Sequence, residues 1–377
     1  MSDAPRPLEV VRAMIDAVDR ELLQLLARRA ALVGEVAAYK RQHGLKVRDL
    51  TREHTVLRDR GERAEALGLP REEIESVFRV LLRASREQQS AMRAEVPVSQ
   101  QPRTVAIIGA HGGFGRLLTR LFGDLGHHVL AVDVDTALRA GDAAAIADVV
   151  VLAVPIDVTE TVIAEVGPHV RDDALLMDVT SIKAAPLAAM LAHTHASVVG
   201  THPMFGPSVH TLQGQRVVLC RGRGDAWFDW VAQAFGARGL VVTEATADAH
   251  DRAMAVVQVL NHFQTQVFGL TLARLGVPVA ETRPYTSPSY LLELYVAARH
   301  FAQSSALYGP IEMRNPELGR VTEALQTAAR DLASILTRGD QAAFDAVFDE
   351  VRGYFGDFTG EALAQSRFLI DRIVEQG

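Results

Sequence analysis

A strand that runs directly into a glycine-rich turn and then a helix narrows the choice of fold more than any other short pattern in this chain. Residues Val105 to Gly115 have that form: an apolar β-branched run, then Gly109, Ala110, His111, Gly112, Gly113, Phe114 and Gly115. Such a segment opens a βαβ unit of an open, largely parallel sheet. Around it, residues 104 to about 245 alternate short Val/Ile/Leu-rich runs with helical stretches. The predicted strands are Val105–Ile108, Val129–Val132, Val149–Val154, Leu175–Asp178, Val198–Gly200, Val217–Leu219 and Leu240–Thr243.

The turn carries its own chemistry. Glycines let backbone approach a pyrophosphate closely, and a helix N-terminus attracts that charge. Gly109, Gly112, Gly113, Phe114 and Gly115 are therefore candidate dinucleotide contacts. The spacing departs from G-x-G-x-x-G, which read back from Gly115 would begin at Ala110, one position after Gly109. Asp133 closes the next strand, 24 residues beyond Gly109, where an acid binds the adenosine ribose hydroxyl and favours NAD over NADP. Val154 and Pro155, ending the third strand, let backbone pass near the same cofactor, although a proline there is also a plain strand stop. Downstream, Ser197 to Gly200 leads into His202, Pro203, Met204, Phe205, Gly206 and Pro207. Ligands sit outside the carboxyl ends of such strands, so His202 is a candidate general base for an NAD-dependent alcohol oxidation. The competing account is a loop histidine held by local hydrogen bonds.

Helical blocks flank the sheet. Leu8, Val11, Ile15, Val18, Leu22, Leu25, Leu32 and Val36 repeat at helical spacing, predicting one helix of about thirty residues. It breaks at His43-Gly44; a second helix follows Asp49, and Pro70 introduces a third. The C-terminal pattern predicts helices near 248–275, 288–308, 315–337, 340–356 and 358–375. The chain thus reads as multidomain, α and α/β: a helical block 1–93, a linker 94–102, a sheet domain 103–245 and a helical domain 246–377. Net charge −7 argues against a general nucleic-acid binder, and no apolar run is long enough to span a membrane. The start of the chain lacks the apolar core of a signal peptide. A single cysteine, Cys220, points to a reducing, cytoplasmic setting. No metal-ligand pattern is evident.

Arg29 and Lys40 lie eleven residues apart on the first helix, about 20° beyond three full turns, and so share a face. Arg12 precedes Arg29 by seventeen residues, about 25 Å along the axis, so it can serve a similar site only on a neighbouring subunit. Asp49, Arg52 and Glu53 begin the second helix, and Ser85 and Gln89 stand one turn apart on the third. Taken singly, these are also ordinary solvated positions.

Together, Arg12, Arg29, Lys40, the block Arg48-Asp49-Leu50-Thr51-Arg52-Glu53, Ser85 and Gln89 resemble the helical chorismate mutases without a gap in spacing. Gly109–Gly115, Asp178–Lys183, Gly200–Pro207 and Leu292–Arg299 resemble the prephenate dehydrogenases. The chain is thus similar over nearly its whole length to the bifunctional chorismate mutase–prephenate dehydrogenase family. That resemblance implies an all-helical mutase domain, a Rossmann-type α/β NAD-binding domain and an all-helical dimerisation domain. It implies chorismate and prephenate as substrates, NAD as cofactor, a homodimer, and tyrosine as a feedback inhibitor. It assigns carboxylate binding to Arg12 of the partner subunit, Arg29 and Arg52. Lys40 and Gln89 would hold the ether oxygen and Glu53 the substrate hydroxyl, with Asp49 and Ser85 completing the pocket. In the second half it makes His202 the base, Ser181 a serine beside the same hydroxyl, and Arg299 and His262 substrate-binding groups. Ser181 also reads as a helix N-cap, Arg299 as half of a structural ion pair, and His262 as a satisfied core histidine. Two departures stand out: Ala110 and His111 replace small glycines, and Leu291 stands where relatives often carry arginine. Two rivals are an NAD sensor without turnover and a single-function dehydrogenase with a helical dimerisation arm.

Overall fold

The computed structural model describes residues 6–374 except Gly44, Lys46, Arg48, 95–100 and His210. Arg48 and most of the expected linker 94–102 therefore lie outside the described residues. Contacts divide the chain into two units, residues 1–154, 163–179 and 190–244, and residues 155–162, 180–189 and 245–377.

The first unit begins with α1 (Leu8–Gln42), 35 residues long and ending on Lys40 and Arg41, cations that suit a helix C-terminus. Helix α2 (Leu50–Ala66) starts where the Asp49 side chain accepts the Arg52 amide at 2.9 Å. Helix α3 (Arg71–Ala94) follows Pro70 with Glu72 and Glu73 in its first turn, and packs against both α1 and α2.

The sheet follows, in the order β2-β1-β3-β4-β5-β6-β7. Its members are β1 (Thr104–Ile108), β2 (His128–Val132), β3 (Val149–Leu152), β4 (Leu175–Asp178), β5 (Ser197–Pro203), β6 (Arg216–Arg223) and β7 (Val241–Ala245). The neighbours from β2 to β5 pair in parallel. Helices α4 (Gly113–Asp124), α5 (Ala140–Ile146) and α8 (Asp225–Ala237) accompany the strands. Phe122, Trp230 and Phe235 form an aromatic layer over β1, β3 and β4.

The largely parallel sheet changes direction after β5. The chain turns back through residues 204–215, and β6 runs antiparallel, setting His202 opposite Val218. That partner extends β5 three residues beyond Gly200, so His202 lies on a strand and not in a loop. Pro203 has no amide to donate and is tolerated because it ends the strand.

The second unit is helical. It takes the first turns of α6 (Ile156–Val166) and of α7 (Ala184–His193), with every element after β7. Helix α9 (Ala247–Met254) runs through a π-helical turn, Ala255–Leu260, into α10 (Asn261–Leu275). Then come α11 (Val279–Thr282), α12 (Pro288–Phe301), α13 (Ser305–Met313), α14 (Leu318–Arg338), α15 (Gln341–Phe355) and α16 (Phe358–Val374). The helix expected over 288–308 is two helices, because the Ser304 hydroxyl caps α13 by accepting the Ala306 amide. Among the described residues no helix is long and apolar enough to cross a membrane.

Candidate active sites

Three helices converge in the N-terminal block. The Arg29 Nη1 donates to Ser85 Oγ at 2.7 Å and to the Leu81 carbonyl at 3.4 Å. Burial, then the nearby charge of Arg60, holds this guanidinium below its ordinary value, which still leaves an arginine charged. Gln89 Nε2 donates to the Ser85 carbonyl at 3.1 Å, while its Oε1 is buried without a partner. Lys40, whose Nζ donates to the Val47 carbonyl at 2.7 Å, and Gln89 line a small pocket with Ala37, Arg41, Leu45 and Val47. Arg29, Ser85 and Gln89 are thus linked by hydrogen bonds, and Gln89 shares its pocket with Lys40. Glu53 Oε1 takes Arg86 Nη1 at 2.7 Å, a half-buried pair whose basic member the sequence had not flagged. Other expected members stand apart. Asp49 is engaged as the α2 cap, Arg52 is exposed, and Arg12 pairs at the surface with Glu9 of its own helix.

At the glycine-rich turn the backbone is the active material. Gly109 adopts φ +88°, and a Cβ there would stand 2.6 Å from the Ala153 carbonyl. A Cβ on Gly115 would meet the Gly109 carbonyl at 2.0 Å, so the turn and α4 close on each other only with glycine at this position. Gly112 precedes α4 as its N-cap, leaving the amides of the first helical turn (Gly113, Phe114, Gly115) without intrahelical acceptors. Asp133, just past β2, accepts the His111 amide at 2.8 Å on Oδ2 and the Val134 amide at 2.8 Å on Oδ1. Burial raises this carboxyl, but the two amides and His111 outweigh it and hold the group below its usual value. The His111 ring turns away to Asp135, Nδ1 to Oδ1 3.0 Å. The segment after His202 reaches this turn: Phe205 packs on Phe114, and Pro207 lies over Gly113. Val154 lies beside Gly109. The Pro155 carbonyl accepts from Val158 and Thr159 as α6 begins.

His202 is 2% exposed, next to Thr201, whose hydroxyl donates to the Asp178 carbonyl. Buried strand pairing on β5, not a loop, fixes its position. Ser181 belongs to the second unit, three residues ahead of α7. The capping role expected of it falls to Asp251, which accepts the Lys183 and Ala184 amides at 2.8 and 2.9 Å. Burial raises the Asp251 carboxyl, yet His250 and those amides hold it below the ordinary value.

In the same unit, α10, α12 and α13 gather an aromatic and polar cluster. The His300 ring stacks on Tyr308 at 3.9 Å, and His262 meets Tyr308 edge-on at 4.8 Å. Gln266 Nε2 donates to Glu312 Oε1 at 2.7 Å. Burial, then His300, pushes His262 down to about 4, and burial raises Glu312. The 3.7 Å approach of His262 Nδ1 to Glu312 is therefore no ion pair at neutral pH, and Nδ1 is buried without a hydrogen bond. Arg299 is exposed and makes no ion pair among the described residues, though its charge opposes the upward shift that burial gives Tyr308. His300, Tyr308 and Glu312 were not foreseen from sequence.

Residues 11–90 match the model of type II chorismate mutases, 124–244 that of the prephenate dehydrogenase nucleotide-binding domain, and 246–350 that of the prephenate dehydrogenase dimerization domain. The glycine-rich turn precedes the second of these ranges. The T-protein of Enterobacter agglomerans is 36% identical, over 96% of this chain and 97% of its own. That of Haemophilus influenzae is 33% identical over 97% of each. A crystal structure of prephenate dehydrogenase from A. aeolicus, in complex with hydroxyphenyl propionate and NAD+, covers 68% of this chain and 98% of its own at TM-score 0.52. At 17% identity that likeness concerns the fold. Matched nearly from end to end, the chain belongs to the T-protein family, in which a chorismate mutase and a prephenate dehydrogenase share one polypeptide.

Proposed function

We propose that the helical block rearranges chorismate to prephenate and that the rest of the chain oxidises prephenate with NAD, releasing CO2 and 4-hydroxyphenylpyruvate, two steps toward tyrosine. The observation that carries this is the hydrogen-bonded run from Arg29 through Ser85 to Gln89, which lines a small pocket with Lys40 and so brings together residues of α1 and α3. The working domain limits are 1–93, 103–245 and 246–377, with 94–102 as linker.

The rearrangement is pericyclic and needs neither acid nor base. The protein has to hold a dianion folded and stabilise charge on the breaking ether oxygen. Arg29 and Arg52 take carboxylates through guanidinium forks. Lys40 donates to the ether oxygen, joined by the second amide hydrogen of Gln89, the first being held by Ser85. Arg86 orients the Glu53 carboxylate toward the substrate hydroxyl. Asp49, as the α2 cap, positions Arg52 at the start of its helix. Arg12, exposed near the start of α1 and seventeen residues before Arg29, serves the second subunit's pocket. A homodimer accounts for α1 itself, on which Ile15, Val18, Leu22 and Leu25 are each more than half exposed.

The glycine cradle fits a dinucleotide: the space beside Gly109 and Gly115 admits no side chain, and the first-turn amides of α4 face an anion. Gly112, Gly113 and Phe114 flank the pyrophosphate, Val154 and Pro155 border the same cleft, and Asp133 holds the adenosine ribose. When bound there, NAD supplies the oxidant for the ring alcohol. His202 takes the hydroxyl proton, Ser181 hydrogen-bonds beside it, and Arg299 holds a substrate carboxylate. His262, kept neutral at physiological pH, offers an uncharged hydrogen-bonding edge. Loss of the ring carboxylate then gives the aromatic product. Tyrosine as feedback inhibitor and a cytoplasmic location belong to the same proposal.

One assay tests it. Purified protein mixed with chorismate and NAD is expected to produce NADH. NADH from prephenate but not from chorismate overturns the mutase half, and NADH from arogenate alone overturns the second substrate.

A further inference from the structure

Ser181 lies on the short run between the end of β4 and the first turn of α7. Its neighbours Thr180, Ile182 and Lys183 are each no more than 5% exposed, while Ser181 itself is partly exposed. The Ser181 hydroxyl has no hydrogen-bond partner among the described residues. The backbone that carries it therefore sets its position. On one side the Thr180 hydroxyl reaches across Ser181 and donates to the Ile182 carbonyl at 2.9 Å. On the other side the anchor is Asp251. Its oxygens take one amide each, Lys183 at 2.8 Å and Ala184 at 2.9 Å. That carboxylate is 2% exposed and has little freedom of its own: His250 Nδ1 meets Oδ1 at 2.8 Å, and the buried Asn315 side chain donates to the Asp251 carbonyl at 3.0 Å.

The two amides that Asp251 takes are the ones a serine at position 181 would itself cap. A capping hydroxyl accepts from the amides two or three residues on, which here are Lys183 and Ala184. Bound to them, the Ser181 oxygen would be turned into the helix start and spent. A carboxylate is the stronger acceptor at a helix N-terminus, because charge assists both bonds and the helix dipole favours it. Asp251, supplied by α9 from far along the chain, therefore wins those amides and leaves the serine hydroxyl for another partner. We propose that Asp251 is a positioning residue for the dehydrogenase step: it holds residues 181–184 in place and keeps the Ser181 hydroxyl available to the substrate. The proposal rests on the reading that Ser181 hydrogen-bonds beside the ring hydroxyl.

The test is a double-mutant cycle on the full-length protein, with prephenate oxidation followed as NADH for Ser181→Ala, Asp251→Asn and the two combined. In Asp251→Asn the side-chain nitrogen faces one of the two amides, donor against donor, and the Ser181 oxygen is drawn to the amide left open. The kcat is expected to fall about 10-fold or more with KM for NAD unchanged, as loss of a charge-assisted contact requires. The combined variant is expected to be no slower than the slower single one, because both changes remove the same hydroxyl contact. A role confined to stability would multiply the two losses. Multiplied losses, or an Asp251→Asn kcat within about twofold of the parent, overturn the proposal and leave Ser181 standing. A near-normal rate for Ser181→Ala overturns the reading of Ser181 and the proposal with it. Should Asp251→Asn fail to fold, judged by its mutase rate and denaturant midpoint, Asn315→Ser enters the same cycle. It loosens only the backbone of Asp251, and a fall in kcat of about 3-fold is expected, again absent when Ser181 is already alanine.

Discussion

Every residue of β3 and β4 is buried, whereas α1 buries a single residue, Ala37, out of 35. Both segments are rich in Val, Leu and Ile. They differ in what the same chain lays over them. The central strands are flanked by other strands and covered by helices, as a parallel sheet requires, while α1 packs on α3 and otherwise turns its leucines outward. The sheet domain completes its core within the chain; the helical block leaves most of the apolar surface of α1 exposed. Their sites differ in the same way. The glycine-rich turn is made of backbone and of space that glycine keeps empty, while the N-terminal pocket region is built of long polar side chains held mostly by backbone carbonyls.

If the two regions act independently, His202→Asn is expected to lower prephenate oxidation ~10²–10⁴-fold and leave chorismate rearrangement untouched, read as NADH formation against prephenate appearance. A near-normal oxidation rate would remove His202 as the base. In the other region, Arg29→Ala is expected to cost about 10²–10³-fold in mutase rate, while added prephenate is oxidised normally. Loss of both activities in a folded protein would end the claim of separate sites.

Acid sharpens the contrast between second-unit and first-unit stability. His262 is depressed to about 4 in the folded state, against about 6.5 unfolded, so the unfolded chain binds the extra proton between those values. Its neutral burial therefore favours folding above pH ~6.5, and stability falls by up to about 3 kcal/mol as pH drops toward 4. Denaturant melts of His262→Gln should lose that slope; an unchanged profile would place the acid sensitivity elsewhere. The smallest effect is expected at the ribose. Asp133→Ser should shift the NADP/NAD ratio of kcat/KM upward by about 10-fold, since a carboxylate no longer repels a 2′-phosphate.

Much of this was legible in the sequence, for identifiable reasons. Periodicity located α1 and the strands, and Asp49 and Pro70 announced the helices they precede. The fixed spacing of Arg29, Lys40, Ser85 and Gln89 marked residues that do meet. What escaped depends on partners distant in the chain. His202 read as a loop residue because its antiparallel neighbour, Val218, arrives only after the chain reverses. Ser181 read as a cap because nothing local reveals that Asp251, seventy positions on, takes those amides. Tyr308 and His300 meet His262 only because helices α12 and α13 separate at Ser304. Arg86 gave no signal beyond a basic residue beside Ser85.

The π-helical turn at Ala255–Leu260 gives the second unit a form of phase control. A wider turn holds one residue more than the α-helix would, which rotates everything after it by about 100° relative to everything before it. Asp251, ahead of the turn, and His262, behind it, thereby keep separate bearings on what is nearly one rod. Removing a single residue from 255–260 would leave a smoother helix and the same composition, but its second half would turn His262 away from Tyr308 and Glu312. In this rod, an irregularity one residue long fixes the direction in which a histidine points.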